Sequence, residues 1–342
     1  MIRLGQYWSV CRVHQFKEFI SMSSMYPYQE SRKAAAKWRH ILLMPLLLSG
    51  IAGCNAGAAS EQAAATAKLV ESSRRSLLPV KGGEFQMGDF GEIHSEEKLP
   101  YTGEANAQPL HKVRLADFFM LKWRVTNDEY NVFAAQKNMR KVNDPKADPT
   151  SERIAALKDS GRFPALVTWD EAQAYCGWLG QQLGKKMQLP TEAQWEYAAR
   201  DGGKFYIFAT NDGSFREGDN VLSSDQIEAM SQDPFFPVPV GSTPANSLGL
   251  GDFAKNGYEW VSDWYGEDYY AHSAVNDPAG PSSGLLRVVR SVPNSNPRPA
   301  LTMQRTARRA DGIDEKMTKL WKESGFKPPV AGYSFRCAGL AQ

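Results

Sequence analysis

The chain has 342 residues, 42% of them hydrophobic and nine of them tryptophan, enough to bury a full core as one large domain or two. Its formal net charge of +2 is a local effect, because residues 1–53 carry seven basic residues against Glu18 and Glu30, leaving 33 basic and 36 acidic residues downstream. A slightly acidic body gives no electrostatic basis for nucleic-acid binding, and four scattered cysteines, Cys11, Cys54, Cys176 and Cys337, do not suggest a disulfide framework.

Arg32, Lys33, Lys37 and Arg39 precede an apolar run over residues 41–48, followed by Ser49-Gly50-Ile51-Ala52-Gly53-Cys54. A basic block, an apolar block and a small-residue site in that order make a secretory signal, and the run is shorter than the ~20 residues a membrane-spanning helix needs. Ile51-Ala52-Gly53-Cys54 resembles a bacterial lipobox, which implies lipidation of Cys54, loss of residues 1–53, and a chain held on the periplasmic side of a membrane. Residues before Met22 add nothing a signal needs, so the working start is expected at Met22 or Met25, without Cys11. Asn55 is not the aspartate associated with inner-membrane retention, which favours the outer membrane. Residues 54–77 then form the lipidated cysteine and a flexible Ala- and Ser-rich tether, weakly helical over 62–73. Residues 78–342 are expected to form the globular domain.

Pro79-Val80-Lys81-Gly82-Gly83-Glu84-Phe85-Gln86-Met87-Gly88 predicts a strand, a turn and a strand, and residues 113–123 a second β-rich piece. Thr126-Asn127-Asp128-Glu129 is a capping box, with Val125 and Tyr130 placed as a hydrophobic staple, so a helix is expected from there to about Gln136. A second capping box, Thr168-Trp169-Asp170-Glu171, opens a helix whose apolar stripe includes Tyr175, Cys176 and Leu179. A third, Thr191-Glu192-Ala193-Gln194, opens a helix carrying Trp195, Ala198 and Ala199. After Arg200 helical periodicity stops, and long irregular loops with short strands are expected, of a kind that bound cations can hold in place. Residues 315–327 read as an inserted helical piece.

Gly82-Gly83-Glu84-Phe85-Gln86-Met87-Gly88, Val125-Thr126-Asn127, Val167-Thr168-Trp169, residues 189–200, Gly249-Leu250-Gly251-Asp252, Asn256-Gly257-Tyr258-Glu259-Trp260 and Phe335-Arg336-Cys337-Ala338 resemble, in order, the formylglycine-generating enzyme (sulfatase-modifying factor) family. The resemblance covers residues 78–342 and implies an α+β, irregular C-type-lectin-like fold with little regular secondary structure. Active members oxidise a substrate cysteine to formylglycine with copper(I) held by two cysteines, and soft thiolates suit that ion. Here those two positions fall on Asn296 and Leu301, so no copper is expected. The serine and aromatic positions of the same stretch fall on Pro293 and Asn294. Arg290, Arg305 and Arg309 border the cleft that the resemblance implies, although ion pairing with the many nearby acids is the preferred account of them. The resemblance also implies structural calcium: one site from Asn220 and Asp233 with the carbonyls of Val221 and Phe235, and a second from Asp252 and Glu259 with the carbonyls of Lys255 and Gly257. Cys337 holds the family's terminal structural cysteine position.

Three functions follow. The first is a non-catalytic envelope lipoprotein that uses this scaffold to hold a protein partner, in an accessory, regulatory or immunity role of the kind relatives play beside secretion systems. The second is a formylglycine-generating or related metal-dependent oxidase that activates sulfatases. The third is ligand binding through Trp264, Tyr265, Tyr269 and Tyr270.

Overall fold

The computed structural model describes residues 49–144, 157, 159–232, 237–313, 319, 323 and 332–341, with the main chain alone for 49–58. Residues 51–342 cluster as one unit and residues 1–50 as another; the signal segment, apart from the main chain of its last residues, lies outside the description, as do Asp233, Phe235 and most of the expected helical piece at 315–327.

The expected tether is instead a helix, α1 (Ser49–Ser76). Alanine, the strongest helix former, dominates it, and its C-terminal half is docked: Leu69 and Ser73 are buried and Gln62 Nε2 donates to the Val132 carbonyl at 2.9 Å. Composition alone reads as a linker because the contact face is small residues rather than an apolar stripe. No helix among the described residues is long and apolar enough to cross a membrane.

The strand, turn and strand appear as β1 (Leu77–Val80) and β2 (Glu84–Met87). Gly82 is required between them, because a Cβ there would lie 2.2 Å from the Leu115 carbonyl oxygen. The next piece gives β3 (His111–Arg114), paired with β2, and β4 (Phe118–Leu121). All three capping boxes form with reciprocal hydrogen bonds, opening α2 (Asn127–Lys137), α3 (Trp169–Leu183) and α4 (Glu192–Ala199). Val125 and Tyr130, the expected staple, are both fully buried. The region beyond Arg200 is irregular as expected, with one exception, α5 (Ser224–Ser231), which opens on a fourth capping box, Ser223 with Gln226.

Two short strands, β5 (Met187–Gln188) and β10 (Ala338–Leu340), complete an antiparallel sheet in the order β1-β4-β10-β5. A second sheet, in the order β8-β7-β6-β9, uses β6 (Glu259–Trp264), β7 (Arg287–Arg290), β8 (Thr306–Arg308) and β9 (Ser334–Phe335). One core lies between α2, α3 and the sheets around Tyr130, Tyr175 and Trp260; the other surrounds Trp195, Phe118 and Val288.

The cysteine expectation is corrected here. Cys176 of α3 and Cys337, immediately before β10, form a disulfide across 161 residues, and both are fully buried. Cys176 reads as part of an apolar helix stripe and Cys337 as the family's terminal structural cysteine; their pairing appears only in the fold.

Candidate functional site

β7 feeds the segment 291–301, which carries Asn296 and Leu301, the positions where the sequence resemblance puts the copper cysteines. Asn296 N–H closes a turn on the Pro293 carbonyl at 3.0 Å, and the Asn296 side chain accepts from Arg298 N–H at 3.0 Å. Leu301 forms an isolated bridge with Phe208, framed by Ala209 N–H to the Ala300 carbonyl and Thr302 N–H to the Ile207 carbonyl, each 2.9 Å. A carboxamide tied into its own turn and an aliphatic side chain supply no thiolate, so copper(I) does not fit this pair. Asn294 is buried and its Oδ1 accepts from Asn256 N–H at 3.1 Å, while Pro293 is half-buried.

The expected cleft arginines divide. Arg290 is fully buried and donates to Glu192 and Glu196, 3.0 Å each, and to the Thr302 carbonyl. Arg305 forks onto Glu192, with Nε to Oε1 at 2.7 Å and Nη2 to Oε2 at 2.8 Å. These two are therefore structural ion pairs rather than cleft groups, and Arg309 is exposed and paired with Asp311 at 2.8 Å. Burial would raise Glu192, but the charges of Arg305 and Arg290 override it and hold its carboxyl below the usual range. The aromatics of the ligand-binding reading are likewise in use. Trp264 stacks on the Arg287 guanidinium at 3.3 Å, Tyr265 Oη accepts from Asn106, Tyr270 is buried against Arg305, and Tyr269 packs on the second core.

Asp263, beside this network, accepts from Glu192 N–H at 2.8 Å and from the Ser262 hydroxyl at 3.0 Å. Burial, with the Glu192 charge behind it, pushes its carboxyl up to about 7. The folded chain thus holds a proton that the unfolded chain releases near pH 4. Its favourable contribution is complete below that value and is lost as pH rises through about 7. Asp263→Asn, which keeps an acceptor for Glu192 N–H, is expected to flatten the fall in melting temperature between pH 5 and pH 8; identical profiles for the two proteins would count against the protonated carboxyl.

The expected calcium ligands fare differently. At the first site Asn220 Oδ1 accepts from Arg216 N–H at 2.8 Å and the Val221 carbonyl from Gly218 N–H at 2.7 Å, so both described ligands already serve their own loop, and Asp233 and Phe235 lie outside the described residues. At the second site the ligands are occupied. The Lys255 and Gly257 carbonyls accept from Arg124 at 2.8 and 2.7 Å, Glu259 is buried between Arg124 and Arg336, and the Asp252 carboxylate accepts from Gly241 N–H at 2.9 Å. A guanidinium stands where the ion was expected, and calcium does not fit beside it. Arg124 escaped the sequence reading because its partners are main-chain carbonyls some 130 positions away, which carry no residue signature. Its one signal is a cation directly before the buried Val125.

Short strands in two sheets, capped helices and long ordered loops define an α+β, C-type-lectin-like scaffold. The chain belongs to the family of the sulfatase-modifying factor enzyme 1-like domain, whose model matches residues 62–315. It is 31% identical over 261 residues to the formylglycine-generating enzyme of Streptomyces coelicolor, covering 64% of this chain and 78% of that protein. It is 30% identical over 226 residues to the serine/threonine-protein kinase Pkn1 of Chlamydia trachomatis, covering 63% of this chain but only 32% of the kinase, so it spans about a third of that relative. An inactive C-alpha-formylglycine-generating enzyme 2 of Bos taurus is 26% identical over 236 residues, 55% of this chain and 71% of that protein. The solved structure of PvdO from Pseudomonas aeruginosa shares the fold, with a TM-score of 0.55 at 21% identity over 78% of this chain and 94% of that one. The family thus holds formylglycine-generating enzymes and inactive members alike.

Proposed function

We propose that this chain is a non-catalytic lipoprotein of the cell envelope, exported, lipidated on Cys54 and held at the outer membrane, whose scaffold binds a protein partner in an accessory, regulatory or immunity role. The observation that carries the reading is the pair Asn296 and Leu301 at the copper positions, set in a scaffold whose buried ion pairs are complete. Two further observations support export and anchoring. A buried disulfide belongs to an oxidising compartment, and α1, which contains Cys54 near its start, is docked on the domain from Gln62 onward. A lipid on Cys54 then holds the domain close to the bilayer, eight helical residues or about 12 Å along the axis from the first docked side chain.

Purified chain incubated with copper and a cysteine-containing sulfatase peptide is expected to return the peptide at unchanged mass. Formylglycine in that peptide would instead establish the oxidase reading. In the native envelope, mass spectrometry is expected to find a mature N-terminus at acylated Cys54, with a stoichiometric protein partner co-purifying; a soluble chain with an unmodified Cys54 would remove the anchoring half of the proposal.

A further inference from the structure

The loop from Asp252 to Glu259 turns its main-chain oxygens inward upon one guanidinium, the Asn256 and Gly257 carbonyls upon Nη1 and the Asp252 and Lys255 carbonyls upon Nη2. Asp252, Asn256 and Gly257 all adopt positive φ, at 64°, 87° and 95°, and this left-handed backbone swings successive carbonyls to the same side. The carbonyls of Asp252, Lys255, Asn256 and Gly257 accept from Arg124 at 2.7, 2.8, 2.8 and 2.7 Å. The Ser291 and Ser334 hydroxyls close the ring at 2.9 and 2.8 Å, and Glu259 Oε2 lies 3.3 Å from Arg124 Nε. None of those four carbonyls accepts a main-chain hydrogen bond among the described loop contacts.

Four carbonyls, two hydroxyls and a carboxylate are all hard oxygen donors, numbering what a calcium ion takes. An uncharged filler would leave these oxygens buried and mutually repelling, and a solvated lysine ammonium offers only three donors. We infer that Arg124 is a tethered cation that replaces a metal ion in this cradle, so that the loop leading into β6 is built without calcium, and that cutting back its side chain converts the cradle into a calcium site. Glu259 is shared with Arg336, which bonds it directly and also donates to the Gly251 carbonyl at 2.9 Å. Removing Arg124 therefore leaves the oxygens in place with one cation missing, three that faced Nη1 and three that faced Nη2, and the loop has to draw the two sets together around the vacated guanidinium for a single ion to reach calcium–oxygen contacts of about 2.5 Å.

The test compares the chain from residue 54 onward with its Arg124→Ala and Arg124→Ala/Glu259→Gln variants. Terbium luminescence, sensitised by the neighbouring Trp123 and Trp260, counts bound ions, and melting in EDTA and in millimolar calcium reads their effect. Arg124→Ala is expected to bind one more terbium ion per chain than the native protein, displaceable by calcium, and to recover at least half of its lost melting temperature in calcium. Glu259→Gln in that background should abolish both gains. If Arg124→Ala folds only when calcium is supplied, the inference stands in stronger form. If it gains no ion, or fails to fold with and without calcium, the cradle is not a metal cradle and the inference falls. It also falls if the native chain already binds an ion that Arg124→Ala does not add to.

Discussion

Glu192→Ala should destabilise the domain by about 3 to 5 kcal/mol, the range for stranding a buried charge by deleting its partner. Glu192 is the first residue of α4, where the helix dipole already favours a carboxylate. It takes the bidentate fork of Arg305 and one arm of Arg290. One turn on, Glu196 takes the second arm of Arg290 at 3.0 Å, Arg200 at 3.0 Å and the Gly88 N–H at 3.0 Å. The i and i+4 acids thus face the same way and tie α4 to β7, to Arg305 before β8, and to the end of β2. Removing Glu192 leaves Arg305, in a buried site, without its only carboxylate partner among the described residues. Urea denaturation checks the prediction, and a loss below about 1 kcal/mol would show that water or main-chain groups replace the partner. Glu192→Gln should cost less, because it keeps an acceptor while losing the charge. Replacing Glu192, Arg290 and Arg305 together by methionine should cost less than Glu192→Ala alone, since no charge is then stranded.

What could be read from the sequence and what could not divides along the range of the interactions. Local chemistry was legible: Thr126, Thr168 and Thr191 each place a helix start, because a capping box is completed within four residues. The same signal at Ser223 and Gln226 was available for α5, but that helix buries little beyond Ile227 and Ser231 and offers no stripe to draw attention. The motifs also pointed to the fold, which the family match and the PvdO structure bear out. Pairings across the chain were hidden. α1 escaped because small residues docked on α2 look, in sequence, like linker. Ion pairing of Arg290 and Arg305 with nearby acids is the reading the sequence favours for the basic segment, but which acids do it, Glu192 and Glu196 of α4, only the fold shows. The occupant of the expected second calcium site was hidden for the same reason: the Lys255 and Gly257 carbonyls meet Arg124, which comes from another part of the chain.

The disulfide gives the second large effect. In the chain-entropy view a crosslink limits the unfolded ensemble in proportion to the logarithm of the loop it closes. Cys176 and Cys337 lie 161 residues apart, so their link is expected to contribute about 5 kcal/mol at 25 °C. It also joins α3 to the lead-in of β10, next to Tyr175 and Phe335, whose rings meet at 5.4 Å. Cys176→Ala/Cys337→Ala should therefore lower stability by roughly 3 to 5 kcal/mol in urea denaturation, the lower end applying if the alanines repack. Because both cysteines are fully buried, the folded native chain should resist a mild thiol reductant that reduces it readily once urea opens the core. The chain made in a reducing cytoplasm should unfold at the midpoint of the double variant, and the exported chain at the higher one. Both preparations unfolding at the midpoint of the double variant would mean that the thiols are unlinked in both, and would withdraw the oxidising compartment as support for export.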